Sequence, residues 1–288
     1  MLKAMRLLTL ILAFFAPALA VHAQDRFTVE VRGKGPDVIL IPGLASSREV
    51  WTDTAEALEG RYRLHIVQVN GFAGAPAGAN AEGPVVGPLV EDIAAYIKAR
   101  KLDKPAVIGH SMGGFTGLKL AIDHPQLVGR VMVVDALPFF SVLINPGATA
   151  QSIEPQAAKT RENFVTMSDA DLAKLQAQTM QRLVKGEADR KIAVDWSMAS
   201  DRRVAGQATY DIMTSDLRGQ LAGVKVPVTV LYAKDDSMGF VAAYVDGFYK
   251  SNYQALPGVN LVRVDGALHF IMLDQPQKFL AEVEAFLK

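Results

Sequence analysis

The 288-residue chain carries 30 basic and 30 acidic side chains and no formal net charge, which excludes the broad electrostatic pull that nucleic acid or an anionic membrane surface exerts on a basic protein. Small neutral or apolar partners fit this balance better. Cysteine is absent, so a lipid-anchored cysteine and a disulfide framework are both excluded. A chain of this length buries about three-quarters of its unfolded surface and needs no such staple.

Residues 1–23 read as a separate object. Lys3 and Arg6 precede an almost wholly apolar run from Leu7 to Leu19, and Ala18-Leu19-Ala20 or Val21-His22-Ala23 offers a small-residue cleavage site. This is the pattern of a secretory signal peptide, and it predicts export to the periplasm or the medium with cleavage after Ala20 or Ala23. The apolar run falls short of the ~20 residues a spanning helix requires, so no stable membrane anchor is expected after cleavage.

Past this leader the chain alternates between strands and helices. Residues 27–32 alternate as a strand, Gly33-Lys34-Gly35-Pro36 turns, and Asp37-Val38-Ile39-Leu40-Ile41 forms a fully apolar strand. A helix over about 48–58 leads to a strand near 64–69. The Gly/Ala/Pro-rich stretch 71–88 predicts a long loop at the sheet edge, ordered or flexible. Leu89, Val90, Ile93, Tyr96 and Ile97 then recur at helical spacing. Further apolar strands are expected over 130–135, 226–233 and 260–264. Strands apolar on both faces and separated by helices imply an α/β fold, with a mostly parallel central sheet covered by helices on each side. Residues 138–217 hold no convincing strand and predict a helical insertion. Within it Ser168 caps a helix carrying Leu172, Leu175, Met180 and Leu183. The chain thus divides into 24–137, a first part of the core; 138–217, a cap; and 218–288, the second part.

Between these elements, Pro105 to Ala121 reads as a short apolar strand, a G-x-S-x-G turn and a helix. Gly109 and Gly113 flank Ser111 without Cβ atoms, which lets a sharp strand-to-helix turn project the serine hydroxyl. An ordinary turn with Ser111 as a helix cap is the simpler alternative, and the presence of a base and an acid decides between them. Of five histidines, His22 lies in the leader, His65 in a strand, His110 in the elbow and His124 at a helix end before Pro125. His269 remains, on a loop past the last strand where it can reach over the sheet's carboxyl edge. An imidazole there would activate a hydroxyl that is a poor nucleophile unaided.

Together, Pro42-Gly43-Leu44 after an early strand, the elbow at Ser111, Asp236 after a late strand, Gly266-Ala267-Leu268-His269-Phe270 and Leu273-Asp274-Gln275-Pro276 resemble the α/β-hydrolase family. The likeness spans nearly all of residues 27–287 and follows the family's chain order Ser, Asp, His. It implies a triad of Ser111, His269 and an aspartate. Asp236 is the choice, because Ala233 supplies the small residue three positions earlier; Asp135, at the end of the preceding core strand, and Asp235 are the alternatives. The resemblance also implies an oxyanion hole from the backbone N–H groups of Leu44 and Met112, although Pro42-Gly43 stands where the family often has His-Gly. Ser46 or Ser47 would cap the following helix and Trp51 would pack behind the site. Phe139, Phe140, Phe164, Met167, Trp196 and Met198 are cap residues able to line an apolar pocket or to pack on one another.

The resulting expectation is an exported serine hydrolase that cleaves a small to medium carboxylic ester through an acyl-enzyme, with no cofactor and no metal. Thioester, lactone, amide, carbon–carbon or peracid chemistry uses the same triad. Epoxide and haloalkane hydrolysis are disfavoured, since relatives with those activities usually place an aspartate at the elbow. A binder of apolar ligands on the same fold is the alternative of another class; oligomeric state is not read from the sequence.

Overall fold

The computed structural model describes residues 25–288, so the leader expected over 1–23 lies outside the described residues. Seven strands build one sheet: β1 (Phe27–Arg32), β2 (Asp37–Ile41), β3 (Arg63–Val69), β4 (Ala106–His110), β5 (Arg130–Val134), β6 (Val228–Lys234) and β7 (Asn260–Asp265). Their order is β1-β3-β2-β4-β5-β6-β7. Only β1 runs antiparallel, against β3; every other pairing is parallel. The expected α/β architecture is therefore present.

This order contains one reversal. From β2 the chain steps outward to β3, then returns to β4 on the other side of β2. A crevice opens where neighbouring strands send their connections to opposite sides, outside their carboxyl ends, and such crevices are where open α/β sheets hold ligands. Ile41 at the end of β2 pairs with Gly109 near the end of β4, so the loop after β2 and the elbow after β4 emerge level at that crevice.

Period-two alternation along apolar strands builds the core on both faces. Ile39, Ile41, Val107, Val131 and Val133 point to one face, where α2 (Val86–Ala99), α3 (Met112–Asp123) and the end of α8 (Ala242–Asn252) cover them. Val38, Leu40, Ile108, Met132 and Val134 point to the other, beneath α1 (Thr52–Leu58), the short α9 (Ile271–Asp274) and α10 (Pro276–Leu287). Trp51, fully buried just before α1, stacks on Phe279 of α10 with ring centroids 6.1 Å apart. The Ser47 side chain accepts from Glu49 N, capping the 3₁₀ turn that leads into α1.

Between β5 and β6 lie four cap helices: α4 (Ala150–Thr166), α5 (Asp169–Leu183), α6 (Glu187–Ala199) and α7 (Arg202–Thr214). Ser168 caps α5 by accepting from Asp171 N, and Leu172 and Met180 are buried as the helical period requires. Leu175 is instead exposed, because α5 presents a narrower apolar stripe than its sequence suggests. The Gly/Ala/Pro-rich loop is pinned to the cap: Asp201 N donates to Gly71 O at 2.7 Å, Gly74 N to Ala199 O at 3.1 Å and Ala73 N to Ser200 Oγ at 2.9 Å. Its last residues are already helical. Asp211 Oδ2 on α7 accepts from Val85 N at 2.6 Å and Val86 N at 2.9 Å, supplying from the cap the N-terminal acceptor that α2 lacks locally. Pro88 then falls in the first turn, where a missing N–H costs nothing.

Gly109 is required by contact. A Cβ on it would lie 2.1 Å from the Gly113 carbonyl oxygen and 2.5 Å from Gly114 N, both backbone atoms that cannot step aside. Gly109→Ala is expected to cost about 3 kcal/mol, read as a lowered urea midpoint with an unchanged m-value.

Candidate active site

At the carboxyl end of β4 the backbone turns on Ser111, whose φ of 54° and ψ of −120° lie outside the regions open to an ordinary L-residue. Such a conformation costs of order 1–3 kcal/mol and persists only where its surroundings enforce it. Here Ser111 N donates to Val134 O at 2.9 Å and Phe115 N to Ser111 O at 3.0 Å, so the turn is held by β5 on one side and by α3 on the other. The serine is a strained elbow, and this rules out a simple helix cap: its side chain makes no capping hydrogen bond.

The loop after β2 presses directly against this elbow. A Cβ on Gly43 would meet His110 Nδ1 at 2.9 Å and Ser111 Cβ at 3.3 Å, so only glycine fits without displacement. Ala45, two residues on, has φ 52°. Neither the Leu44 nor the Met112 N–H donates to a protein acceptor among the described residues, which leaves both amides available beside Ser111.

His110 connects the elbow to the loop that follows β7. Its ring is fully buried, lies 4.6 Å from the His269 ring, and donates from Nε2 to the His269 carbonyl oxygen at 3.1 Å. Burial first, and the neighbouring His269 second, hold the His110 imidazole well below the usual histidine range, so it stays neutral. Its Nδ1 has no hydrogen-bond partner among the described residues. The packed ring therefore acts as a spacer that sets the distance between the Ser111 turn and residue 269.

His269 reaches a carboxylate through Nδ1, but the carboxylate is not Asp236. Nδ1 lies 2.6 Å from Asp135 Oδ2, so the proton on Nδ1 is committed and the Nε2 lone pair is left free. Among the described residues no hydrogen bond joins Ser111 Oγ to His269; in such sites this contact commonly tightens only as the reaction proceeds. Asp135 leaves β5 immediately after Val134 with φ 49°, which turns it across the end of β6. Ala233 N and Tyr249 Oη both donate to its Oδ1 at 2.9 Å.

The two carboxylates after β6 are otherwise engaged. Asp236 opens a 3₁₀ turn with its side chain fully exposed, paired only with Lys234. Asp235 caps that turn by accepting from Ser237 N, and faces inward to an ion pair with Lys185 Nζ at 2.5 Å. The Lys185 contact first, and the Ser237 hydrogen bonds next, hold the Asp235 carboxyl well below the usual range. The structure places His269 on a loop packed against His110, the residue before Ser111, and Leu44 in the loop that presses on the same elbow, with Met112 next to Ser111 in the chain. It separates Asp236 from them and substitutes Asp135, because capping needs turn Asp235 inward and Asp236 outward.

Tyr249 and Lys185 escaped the sequence reading, and Asp274 was read there only as part of a motif, without its contacts. Tyr249 approaches Asp135 from α8. Lys185, between α5 and α6, bridges Asp235 and the Gly266 carbonyl, the latter at 3.2 Å. Asp274 accepts from Lys185 N at 2.9 Å and from Leu268 N at 2.8 Å, tying the cap to the residue before His269, while Phe270 N donates to Leu183 O at 3.1 Å. Tyr249 and Lys185 act on segments distant in the chain, and no local motif marks them. Of the apolar cap residues, Phe139 is fully buried in the core beneath the Arg218 guanidinium, and Trp196 packs beside the layer that holds Phe270.

Comparison with known proteins places this geometry. A family model described as alpha/beta hydrolase fold matches residues 36–276. The chain is 26% identical over 274 residues to a pimeloyl-[acyl-carrier protein] methyl ester esterase of Vibrio atlanticus, covering 91% of this chain and 98% of that protein. It is 27% identical over 268 residues to the protein of the same name from Nitrosomonas europaea, covering 89% and 98%. Among solved structures, an enol-lactonase from Burkholderia xenovorans superposes with a TM-score of 0.73 at 20% identity, covering 91% of this chain and 96% of that one. The chain belongs to the α/β-hydrolase family.

Proposed function

We propose that the protein is a serine hydrolase that cleaves small to medium carboxylic esters through an acyl-enzyme. The observation that carries this reading is the hydrogen bond from His269 Nδ1 to Asp135, made beside a serine held in a strained elbow. That arrangement engages Nδ1 with a carboxylate and leaves Nε2 as the remaining ring nitrogen, on a loop packed against the residue before Ser111, which a passive binder has no use for. Ser111 Oγ attacks the acyl carbon as its proton passes to His269 Nε2. The carbonyl oxygen gains negative charge and is met by the Leu44 and Met112 N–H groups. The imidazolium then protonates the departing alkoxide, the alcohol leaves, and the acyl group remains on Ser111. Water repeats the sequence, releasing the carboxylic acid and restoring the serine hydroxyl. Asp135 stays ionised throughout and stabilises the imidazolium.

The two relatives named above are methyl ester esterases, which supports ester C–O cleavage as the reaction class. The pattern of residues 1–23 supports an exported protein, which N-terminal sequencing of the mature product tests: a start after Ala20 or Ala23 is expected, and a retained Met1 overturns export by cleavage. The reaction is tested by a chain-length panel of activated esters, thioesters and lactones, with fluorophosphonate labelling in parallel. Ester turnover with the covalent adduct on Ser111 is expected. Absence of both, with retained tight binding of an apolar ligand, replaces the hydrolase with a binder.

A further inference from the structure

Asp135 sits at the end of β5, one strand earlier than the loop in which the sequence pattern places the acid, and this position creates a need for support from α8. Its Oδ2 is occupied by His269 Nδ1, and its Oδ1 accepts from Ala233 N and from the Tyr249 hydroxyl at 2.9 Å. Ala233 N belongs to the backbone of β6 and is fixed by the sheet. Tyr249 is the one side chain, besides His269, that hydrogen-bonds this carboxylate among the described residues.

The surroundings leave the Tyr249 hydroxyl little else to do. Its ring stacks on Tyr232 at 4.3 Å and meets Phe248 edge-on at 6.1 Å. Burial first, then the charge of Asp135, push its phenol well above the usual tyrosine range, so it remains protonated and can only donate to the carboxylate. Other titratable groups nearby are committed elsewhere. Tyr232 Oη donates to Asp246 Oδ1 at 2.8 Å, Asp246 is held by Arg263 at 2.6 Å, and Tyr253 Oη donates to the Ala136 carbonyl at 2.8 Å. No lysine or arginine pairs with Asp135 among the described residues.

We propose that Tyr249 is a positioning residue for the triad: its hydroxyl fixes the Asp135 carboxylate and withdraws part of its charge, setting how strongly that carboxylate holds the imidazolium of His269. The inference rests on the hydrolase reading above. A carboxylate that loses one donor is a stronger acceptor towards the other. Tyr249→Phe keeps the ring and its packing but removes the donor. It should therefore shift the acidic limb of the kcat/KM profile to higher pH by about half a unit and lower kcat about tenfold, with KM little changed.

Tyr253→Phe is the matched control, since it removes an equally buried hydroxyl that serves a backbone carbonyl one residue beyond Asp135. It should lower thermal stability and leave the acidic limb in place. An acidic limb that does not move in Tyr249→Phe, or moves no further than in Tyr253→Phe, overturns the proposal. Should Tyr249→Phe fail to fold, 3-fluorotyrosine at position 249, a stronger donor of nearly the same size, is expected to displace the limb to lower pH. No displacement there overturns it equally. Ser111→Ala and Asp135→Asn distinguish the two levels: retained turnover in Ser111→Ala sinks the serine-hydrolase reading itself, whereas turnover lost in both variants with an unmoved Tyr249→Phe profile sinks only the role of Tyr249.

Discussion

Ser111→Ala is expected to lower ester turnover by about six orders of magnitude in a preparation free of contaminating esterases, because nucleophile and base act as a unit and the rest of the site supplies only a residual rate. Fold and stability should change little. The alanine methyl occupies the Cβ position already present, and the hydroxyl makes no capping hydrogen bond whose loss would weaken α3. Removing it leaves the φ of 54° in place, so the variant keeps the strained turn and the crevice. Unimpaired binding of an ester or of its carboxylic acid product, with turnover lost, is the combination that assigns Ser111 to the chemical step. Near-native turnover in this variant would mean that another group attacks.

The second large effect separates two aspartates that the sequence cannot rank securely. Asp135→Asn should reduce kcat by about four orders of magnitude. An amide at that position keeps the shape but cannot stabilise an imidazolium, and its NH₂ group can turn towards His269 Nδ1 and favour the wrong tautomer. Asp236→Asn should leave kcat within about twofold and the melting temperature little changed, since that side chain is fully exposed and its ion pair among the described residues is with Lys234. Measuring both variants on one ester at several pH values makes the comparison internal. The reverse ranking would require the loop after β6 to refold on substrate binding, breaking the Asp235–Lys185 ion pair.

What was legible in the sequence was whatever local chemistry decides. Apolar runs such as residues 38–41 and 131–134 become central strands because each of their faces meets a helical layer, and the small neighbours of Ser111 permit the elbow. The Ser168 cap and α5 follow from side chain meeting backbone within one turn. The start of α2 was not legible, because its acceptor is Asp211, more than a hundred residues later. The acid was misassigned for the same kind of reason. A small residue three positions ahead marks Asp236, yet which carboxylate faces inward depends on Lys185 from the cap and on the capping of a three-residue turn. One signal did point the other way. A charged residue directly after four buried aliphatic ones, Val131 to Val134, stands where a strand ends at the crevice and has no packing reason to be there. Ala233, used in the sequence as a marker for Asp236, in fact serves Asp135 through its own N–H.

The bridges from Leu183 and Lys185 to Phe270, Asp235 and Asp274 have a kinetic consequence. Raising that corner of the cover to admit a molecule would strain the same segment that carries the imidazole, dragging it off its carboxylate. On the proposed reaction, opening of that edge and proton transfer through His269 would therefore compete, because both draw on the same short segment.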